Sequence, residues 1–547
     1  MAIAVLLSRF LGLIRDRLLA GTFGASADLD IYFAAFRMPD LIYSIIFAGG
    51  ILVSFLPLFS EYQKKDKQES WQITNYVLNL FVVSYFAFFV LFFIFTPGFV
   101  STLIGKFSPA EQAKTIALTR LIFVSVFFFG ISSIFSTILN YFNRFVAYSL
   151  APILYNLGII FGIVFLSPHF GIFGPGIGVV IGAFLHFAIQ VPPAIKCGYR
   201  YKPIISLKHP AIANFFKLVV PRIFASSSSQ IDFIVATFIA SGIGIGAISV
   251  FNLSNNLRYL PIGIIGVSFA TAVFPLLSKL WASKEKEEFF SKFRQTFLEV
   301  LYVSFPIGVL IFVLREPIVE IIYRTGKFDE SAVVITGACL GLYFLSTFAQ
   351  CLVPIILRGF FSIKDTFTPT VIALVNTLFN MVFFFPFVAL FGGGNQFGFE
   401  FFGKNINITI PVALNGNNFL SAGVKTIFGL DGTANFPVLG LVLAFNLGLL
   451  LEFVLLFIFF YKKVGNFGIK NIFASFLKIL IATIIMASIS FFAYENTKPF
   501  FPGNFWGVLV QFILITVISA LAYLVITIIL KSPEIKFLKR YLPHRNS

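Results

Sequence analysis

SRFLGLIRDRLLAGTFGASADLDIYFAAFRMPDLIYSIIFAGG (Ser8–Gly50) decides the fold. A bilayer's hydrocarbon core of ~30 Å needs about 20 apolar residues per helix, and this stretch supplies two crossings. Yet it also carries Arg9, Arg15, Asp16, Arg17, Asp28, Asp30, Arg37 and Asp40. Ionisable side chains at membrane depth are expensive and mark functional positions. A lipid-facing arrangement of so many would be unstable, so they are expected to face a cavity. Seven residues are close to two helical turns. That spacing puts Arg9 on one face with Asp16, and Asp30 on one face with Arg37.

The rest of the chain supports the membrane reading. Of 547 residues, 58% are hydrophobic and only 12% charged, with a mean hydropathy of +0.94. Soluble domains carry about 25% charged residues, so lipid must cover what charge does not. Apolar runs predict fourteen spans, at 2–22, 29–58, 72–96, 114–140, 149–167, 173–195, 213–240, 245–277, 293–314, 332–357, 367–391, 437–461, 472–493 and 505–530. Arginines interrupt the first run, so no cleavable signal peptide is expected.

The net charge of +17 is a topology signal rather than a nucleic-acid footprint, because the basic residues lie in short loops. Every second loop is rich in Lys and Arg, as at Lys64–Lys67, Lys196–Lys208, Lys279–Arg294 and Lys462–Lys470. That side, with the tail after Lys531, holds roughly 23 basic residues against about 8 opposite, which predicts cytoplasmic termini. One outer loop, 392–436, is rich in Gly and Asn and too long for an ordinary connection. A small β-rich cap and a disordered insertion are both open readings of it.

The chain also repeats itself. FLPLFSEY around Pro57 returns as VFPLLSKL around Pro275, and ILNYF from Ile138 as ILRGF from Ile356, both at an offset of 218. Pro152 matches Pro369, and GKF at Gly105 matches GKF at Gly326. Two six-span copies would enter the membrane from the same side and be parallel repeats. The expected fold is an all-α polytopic membrane protein. Its N-terminal six-helix lobe is 1–197, followed by a cytoplasmic linker at 198–212. The C-terminal lobe is 213–461, and 462–547 hold two appended helices and a basic tail. Rocking of two such lobes gives alternating access to a site between them.

Excess arginine suits an anionic cargo, since guanidinium forms paired hydrogen bonds to phosphate. Arg9, Arg15, Asp30 and Arg37 are the candidate cargo-binding residues, with Arg258, Arg222 and Arg120 in support. Pro39, Pro221 and Pro261 are candidate bend points. Cys197, Cys339 and Cys351, and the four histidines, have no metal or redox spacing. An enzyme acting on polyprenyl phosphates would need a carboxylate pair on the cytoplasmic side, and DLD at Asp28–Asp30 lies on the other.

SRFLGLIRD at Ser8–Asp16, AAFRMPDL at Ala34–Leu41, SFLPLFSEY at Ser54–Tyr62, PIGIIGVSFATAVFPLLS at Pro261–Ser278 and IIYRTGKFD at Ile321–Asp329 resemble the MurJ/MviN family. These are lipid II flippases of the multidrug/oligosaccharidyl-lipid/polysaccharide exporter superfamily. The resemblance implies a flippase, not an enzyme, in a bacterial cytoplasmic membrane. It would move a lipid-linked peptidoglycan precursor to the outer leaflet, with Arg9, Arg15 and Asp30 on the family's charged positions. It implies membrane lipids and other cell-wall synthesis proteins as partners of a monomer. Sodium or the membrane potential would be the energy source, with Asp232, Asn376 and Asn380 as sodium ligands. The chain departs from the family at Tyr43, Ser44, Ala48 and Asn256, where basic or acidic residues are usual. Alternatives within transport are a flippase for another polyprenyl-diphosphate glycan and a cation-coupled exporter, and the lost charges would be the evidence for a partner-binding scaffold with a vestigial cavity.

Overall fold

The structure is a computed structural model that describes residues 2–45, 52–392, 396–401, 404–409, 419–430 and 435–535. Side chains are described for these except at 2–3, 52–54, 216–228, 396–401, 404–409 and 419–420. It is helical almost throughout. Contacts divide it into two compact units. The first is Met1–Ser249 with Thr325–Asp329 and Asn395–Val412, and the second is Val250–Arg324, Glu330–Gly394 and Ala413–Ser547.

The first unit begins with α1 (Ala2–Phe23), α2 (Ala27–Ala35), α3 (Arg37–Tyr43), α4 (Leu52–Lys65), α5 (Lys67–Leu103) and α6 (Pro109–Tyr141). It continues with α7 (Phe145–Phe161), α8 (Ser167–Phe170), α9 (Phe173–Ala188), α10 (Val191–Lys196) and α11 (Pro210–Ser241). Ser108 caps α6 through a reciprocal bond with Glu111, the capping box that satisfies two first-turn donors. The predicted second span breaks at Phe36, between α2 and α3. Pro39 lies just past the break, where its missing N–H and fixed φ disfavour a continuous helix.

Helices α7 and α9 touch backbone to backbone. A Cβ built on Gly158 would come within 2.4 Å of the Gly182 Cα, and one on Gly178 within 2.6 Å of the Gly158 carbonyl oxygen. Small residues at such positions let membrane helices gain close packing where no hydrophobic force acts between them. Around α4, α5 and α6 the contacts are aromatic instead, with Phe92 and Phe123 stacked at 3.8 Å. The 198–212 linker is pinned to α5, where the Asn79 side-chain amide donates to the carbonyls of Lys202 and Ile204 at 2.8 and 2.9 Å. Helix α11, which the repeat assigns to the second lobe, packs on α3, α4 and α5. The first and longest segment of that compact unit therefore runs on past the linker to Ser249.

In the second unit α12 (Ala247–Pro261) runs on from the first, through a π-helical turn at Ile262–Gly266, into α13 (Val267–Ala282). Pro261 heads that turn, as expected of a bend point. Then follow α14 (Lys286–Val313), α15 (Arg315–Tyr323), α16 (Glu330–Leu342), α17 (Phe344–Ser362) and α18 (Phe367–Leu390). After the insertion come α20 (Val438–Val464), α21 (Ile469–Thr497) and α22 (Phe505–Ile529). The appended pair is tied in by hydroxyls. Tyr523 donates to the Tyr302 carbonyl at 2.8 Å, and the Tyr302 and Thr527 hydroxyls pair at 3.0 Å. Asp365, after α17, pairs with Lys463 at the end of α20.

Eleven helices among the described residues are long and apolar enough to cross a membrane. They correspond to predicted spans 3–6 and 8–14. Of the other three, span 1 carries four charges, span 2 is interrupted at Phe36 with residues 46–51 outside the described ones, and span 7 lies within the continuous helix α11, whose side chains are described only outside 216–228. In the 392–436 insertion, Gln396–Phe401 pairs antiparallel with Lys404–Thr409, and α19 (Phe419–Phe428) follows. The β-rich reading of that loop thus holds for its first third.

Candidate functional site: the charged first hairpin

Asp30 is fully buried, and both of its carboxylate oxygens are engaged. Oδ2 accepts from the Gly246 N–H at 2.6 Å. Oδ1 accepts from the Ser249 N–H at 2.7 Å and the Ser249 hydroxyl at 2.6 Å. These donors belong to the first turn of α12, whose leading N–H groups have no partner within the helix. Gly246 sits at φ +89° and its Cα approaches the Ala25 carbonyl too closely for a Cβ, 2.5 Å away. Asp30 is therefore a helix cap supplied from 216 residues upstream, not a side chain turned towards a cavity.

Arg15 and Asp16 form a second cluster. The Arg15 Nε and Nη2 groups donate to Asp16 Oδ1 at 2.9 and 2.7 Å. Nη1 donates to Asn156 Oδ1 on α7 at 3.1 Å. Asn156 in turn donates to the Ser8 and Pro152 carbonyls at 3.2 and 3.1 Å, locking α1 on α7. Asp16 is 4% exposed, while the Arg15 side chain keeps 23% of its surface open. The salt bridge thus fixes the guanidinium and leaves part of it accessible. Arg9 is half-buried and has no hydrogen bond or ion pair among the described residues.

Arg37 is buried against α11, donating from Nε to the Thr237 hydroxyl at 2.7 Å and lying over the Phe233 ring at 5.2 Å. The expected facing of Asp30 with Arg37 fails because the break at Phe36 ends the helix that would align them. The partner of Asp16 is its neighbour Arg15 rather than Arg9 two turns back. Of the supporting arginines, Arg120 donates to the Phe93 carbonyl at 2.7 Å, and the Arg222 side chain lies outside the described residues.

Arg258 belongs to the second unit and is 1% exposed. Its guanidinium lies 4.7–5.0 Å from the ring centres of Tyr259, Tyr343 and Phe445. Rings of this kind hold a cation by their negative faces, and two of the guanidinium nitrogens, Nε and Nη1, are buried without a hydrogen-bond partner among the described residues.

Of the sodium candidates, Asp232 lies in the first unit and Asn376 and Asn380 in the second. All three are buried. Asn376 donates to Glu452 at 3.2 Å. A Cβ on Gly448 would come within 2.1 Å of Asn380 Oδ1 and 2.7 Å of Asn376 Oδ1. Neither amide oxygen accepts a hydrogen bond. Glu452 escaped the sequence reading, although an acidic residue inside the apolar run 437–461 meets the criterion used for the first hairpin. Asn156, a lone amide in span 5, meets it too. Thr237 and the 246–249 turn gave no comparable signal.

Residues 19–398, well over half of the chain, match the family model described as lipid II flippase MurJ. The chain belongs to the MurJ family of lipid II flippases. The probable lipid II flippase MurJ of Buchnera aphidicola subsp. Schizaphis graminum (strain Sg) is 27% identical over 529 residues, covering 96% of this chain and 94% of that protein. Its counterpart from Buchnera aphidicola subsp. Acyrthosiphon pisum (strain APS) is 30% identical over 391 residues, 70% of this chain and 76% of that one. A solved lipid II flippase MurJ, in an inward closed conformation, superposes with a TM-score of 0.74 at 28% identity, covering 97% of this chain and 98% of that chain. An inward-facing multidrug-resistance MATE transporter shares the fold at a TM-score of 0.67 and 11% identity, covering 84% and 94%. As a MurJ family member the chain is a multi-pass bacterial membrane protein that transports lipid and is not an enzyme.

Proposed function

We propose that this chain carries lipid II, the polyprenyl-diphosphate-linked peptidoglycan precursor, from the cytoplasmic to the outer leaflet, with both termini cytoplasmic. The family match over residues 19–398 carries this reading. Support comes from the first hairpin, where Arg9 and the open edge of Arg15 offer two guanidinium groups to a diphosphate. Such pairs are charge-assisted and bidentate. The buried Asp30 and Arg37 would hold the helices that present them, and the polyprenyl tail would stay in lipid. The test is growth of a bacterium depleted of its own lipid II flippase and supplied with this chain. Restored growth is expected. No growth, with the protein correctly inserted, would leave another polyprenyl-diphosphate glycan as the cargo.

A second reading concerns energy. The two free amide oxygens facing Gly448, beside the Glu452 carboxylate, form a set of hard oxygen donors of the type that alkali and alkaline-earth cations take. We propose that Asn376, Asn380 and Glu452 hold a sodium ion in the second unit, whose charge would couple transport to the membrane gradient. Sodium should raise the melting temperature of the purified protein more than potassium does. Glu452→Gln should weaken that apparent affinity about tenfold, or about 1.4 kcal/mol. Equal responses to the two cations would remove sodium from the mechanism.

A further inference from the structure

The second unit has a mixed-charge cavity of about 240 Å³. Its walls are the start of α15, the end of α19 and the junction of α21 with the turn at Lys498–Phe500. Two cationic and two anionic side chains line it: Arg315, Lys498, Glu316 and Glu495. The pairs among them are incomplete. Arg315 lies 3.5 Å from Glu316, and its buried Nε has no hydrogen-bond partner. Lys498 pairs with Glu495 at 3.0 Å with both side chains nearly half exposed, and an exposed pair of that kind is weak. Arg315 is held in place by the Phe312 and Ile427 carbonyls at 3.0 and 3.4 Å and by the Phe428 ring at 4.8 Å.

The cavity lies at the end of α21, and its lining residues Ile427 and Phe491 are 60% and 52% exposed. In the stretch that leads on into α22, Phe500 and Trp506 are 81% and 70% exposed. Exposed aromatic and large apolar side chains at the ends of spans sit at the level of lipid headgroups. What reaches such a cavity most readily is a lipid. Its charges are balanced, so the fitting headgroup is one with both signs. At about 240 Å³ the cavity is below the roughly 300–1,000 Å³ of whole-ligand pockets, so it suits a headgroup whose acyl chains remain in the bilayer.

We propose that this cavity binds a zwitterionic aminophospholipid of the phosphatidylethanolamine type. Its phosphate would meet Lys498 and the exposed part of the Arg315 guanidinium, and its primary ammonium would meet Glu316 and Glu495. A guanidinium is suited to phosphate by its charge and planar donors. Three N–H donors on the ammonium match the two carboxylates, which a quaternary ammonium could not. The proposal is independent of which substrate is flipped.

Binding is read on the full-length purified protein, by native mass spectrometry of retained lipid and by melting temperature. Phosphatidylethanolamine, phosphatidylcholine and phosphatidylglycerol are compared at equal mole fraction. The ethanolamine lipid should be retained about tenfold more tightly than either other lipid. Glu316→Gln with Glu495→Gln should abolish that preference while leaving the lipid-free melting temperature unchanged. Arg315→Gln should weaken all three lipids. The proposal fails if the glycerol lipid binds equally well, or if the preference survives the double substitution. It fails too if inorganic phosphate alone displaces the lipid, since the site would then be one for a free anion.

Discussion

Asp30→Ala should cost about 3–5 kcal/mol of folding stability, since it leaves three buried donors without an acceptor at about 1–3 kcal/mol each, partly relieved by relaxation. The donors are the Gly246 and Ser249 N–H groups and the Ser249 hydroxyl. In a membrane interior no bulk water replaces the lost carboxylate. Ser249→Ala removes one donor with its need, and should cost about 1 kcal/mol. Asp30→Asn keeps one accepting oxygen but turns an amide NH₂ towards another N–H, and should fall between. The order Ala, Asn, then Ser249→Ala, read as melting temperature in detergent, is the signature of a cap. Complementation should fail for Asp30→Ala. If Asp30→Ala melts like the parent and still fails, Asp30 touches cargo instead.

Arg15→Ala is the second large effect. It removes the ion pair of Asp16, a residue 4% exposed, and breaking a buried ion pair from one side costs about 3–5 kcal/mol. Losing the bond to Asn156 also loosens α1 from α7. The test that separates structure from transport is the double variant Arg15→Ala with Asp16→Ala. Removing both charges should restore most of the melting temperature, because no uncompensated charge remains. It should not restore growth, because the guanidinium offered to the diphosphate is gone. Growth of the double variant would remove Arg15 from the cargo path. Arg15→Lys should retain folding yet transport poorly, since one ammonium cannot bridge Asp16 and Asn156 and still present a forked edge to phosphate.

The span pattern was readable because apolar length is imposed by the bilayer and leaves its mark on composition. Two spans are less plain than the rest: α1 carries four charges, among them the Arg15–Asp16 pair, and the second span is interrupted at Phe36. The choice of charged residues was legible for the same reason, since polar side chains stand out in apolar runs. Their partners were not. Helical spacing relates residues on one helix, whereas Asp30 is satisfied by residues 246–249, Arg37 by Thr237 and Arg15 by Asn156. Those pairings arise from how helices distant in sequence are laid side by side. Nor did the sequence show that Arg258 would lie among three rings of its own unit, Tyr259, Tyr343 and Phe445.

The capping of α12 by Asp30 also sets a timetable. Synthesis proceeds at about 5–20 residues per second, so the 216 residues between Asp30 and Gly246 take roughly 10–40 s to emerge. Throughout that interval the second span is already made, and the donors that will neutralise its buried carboxylate do not yet exist. The nascent chain must therefore keep Asp30 hydrated, within the insertion machinery or at the bilayer edge, until the eighth span arrives. The membrane integration of the first hairpin is provisional until nearly half of the protein has been translated.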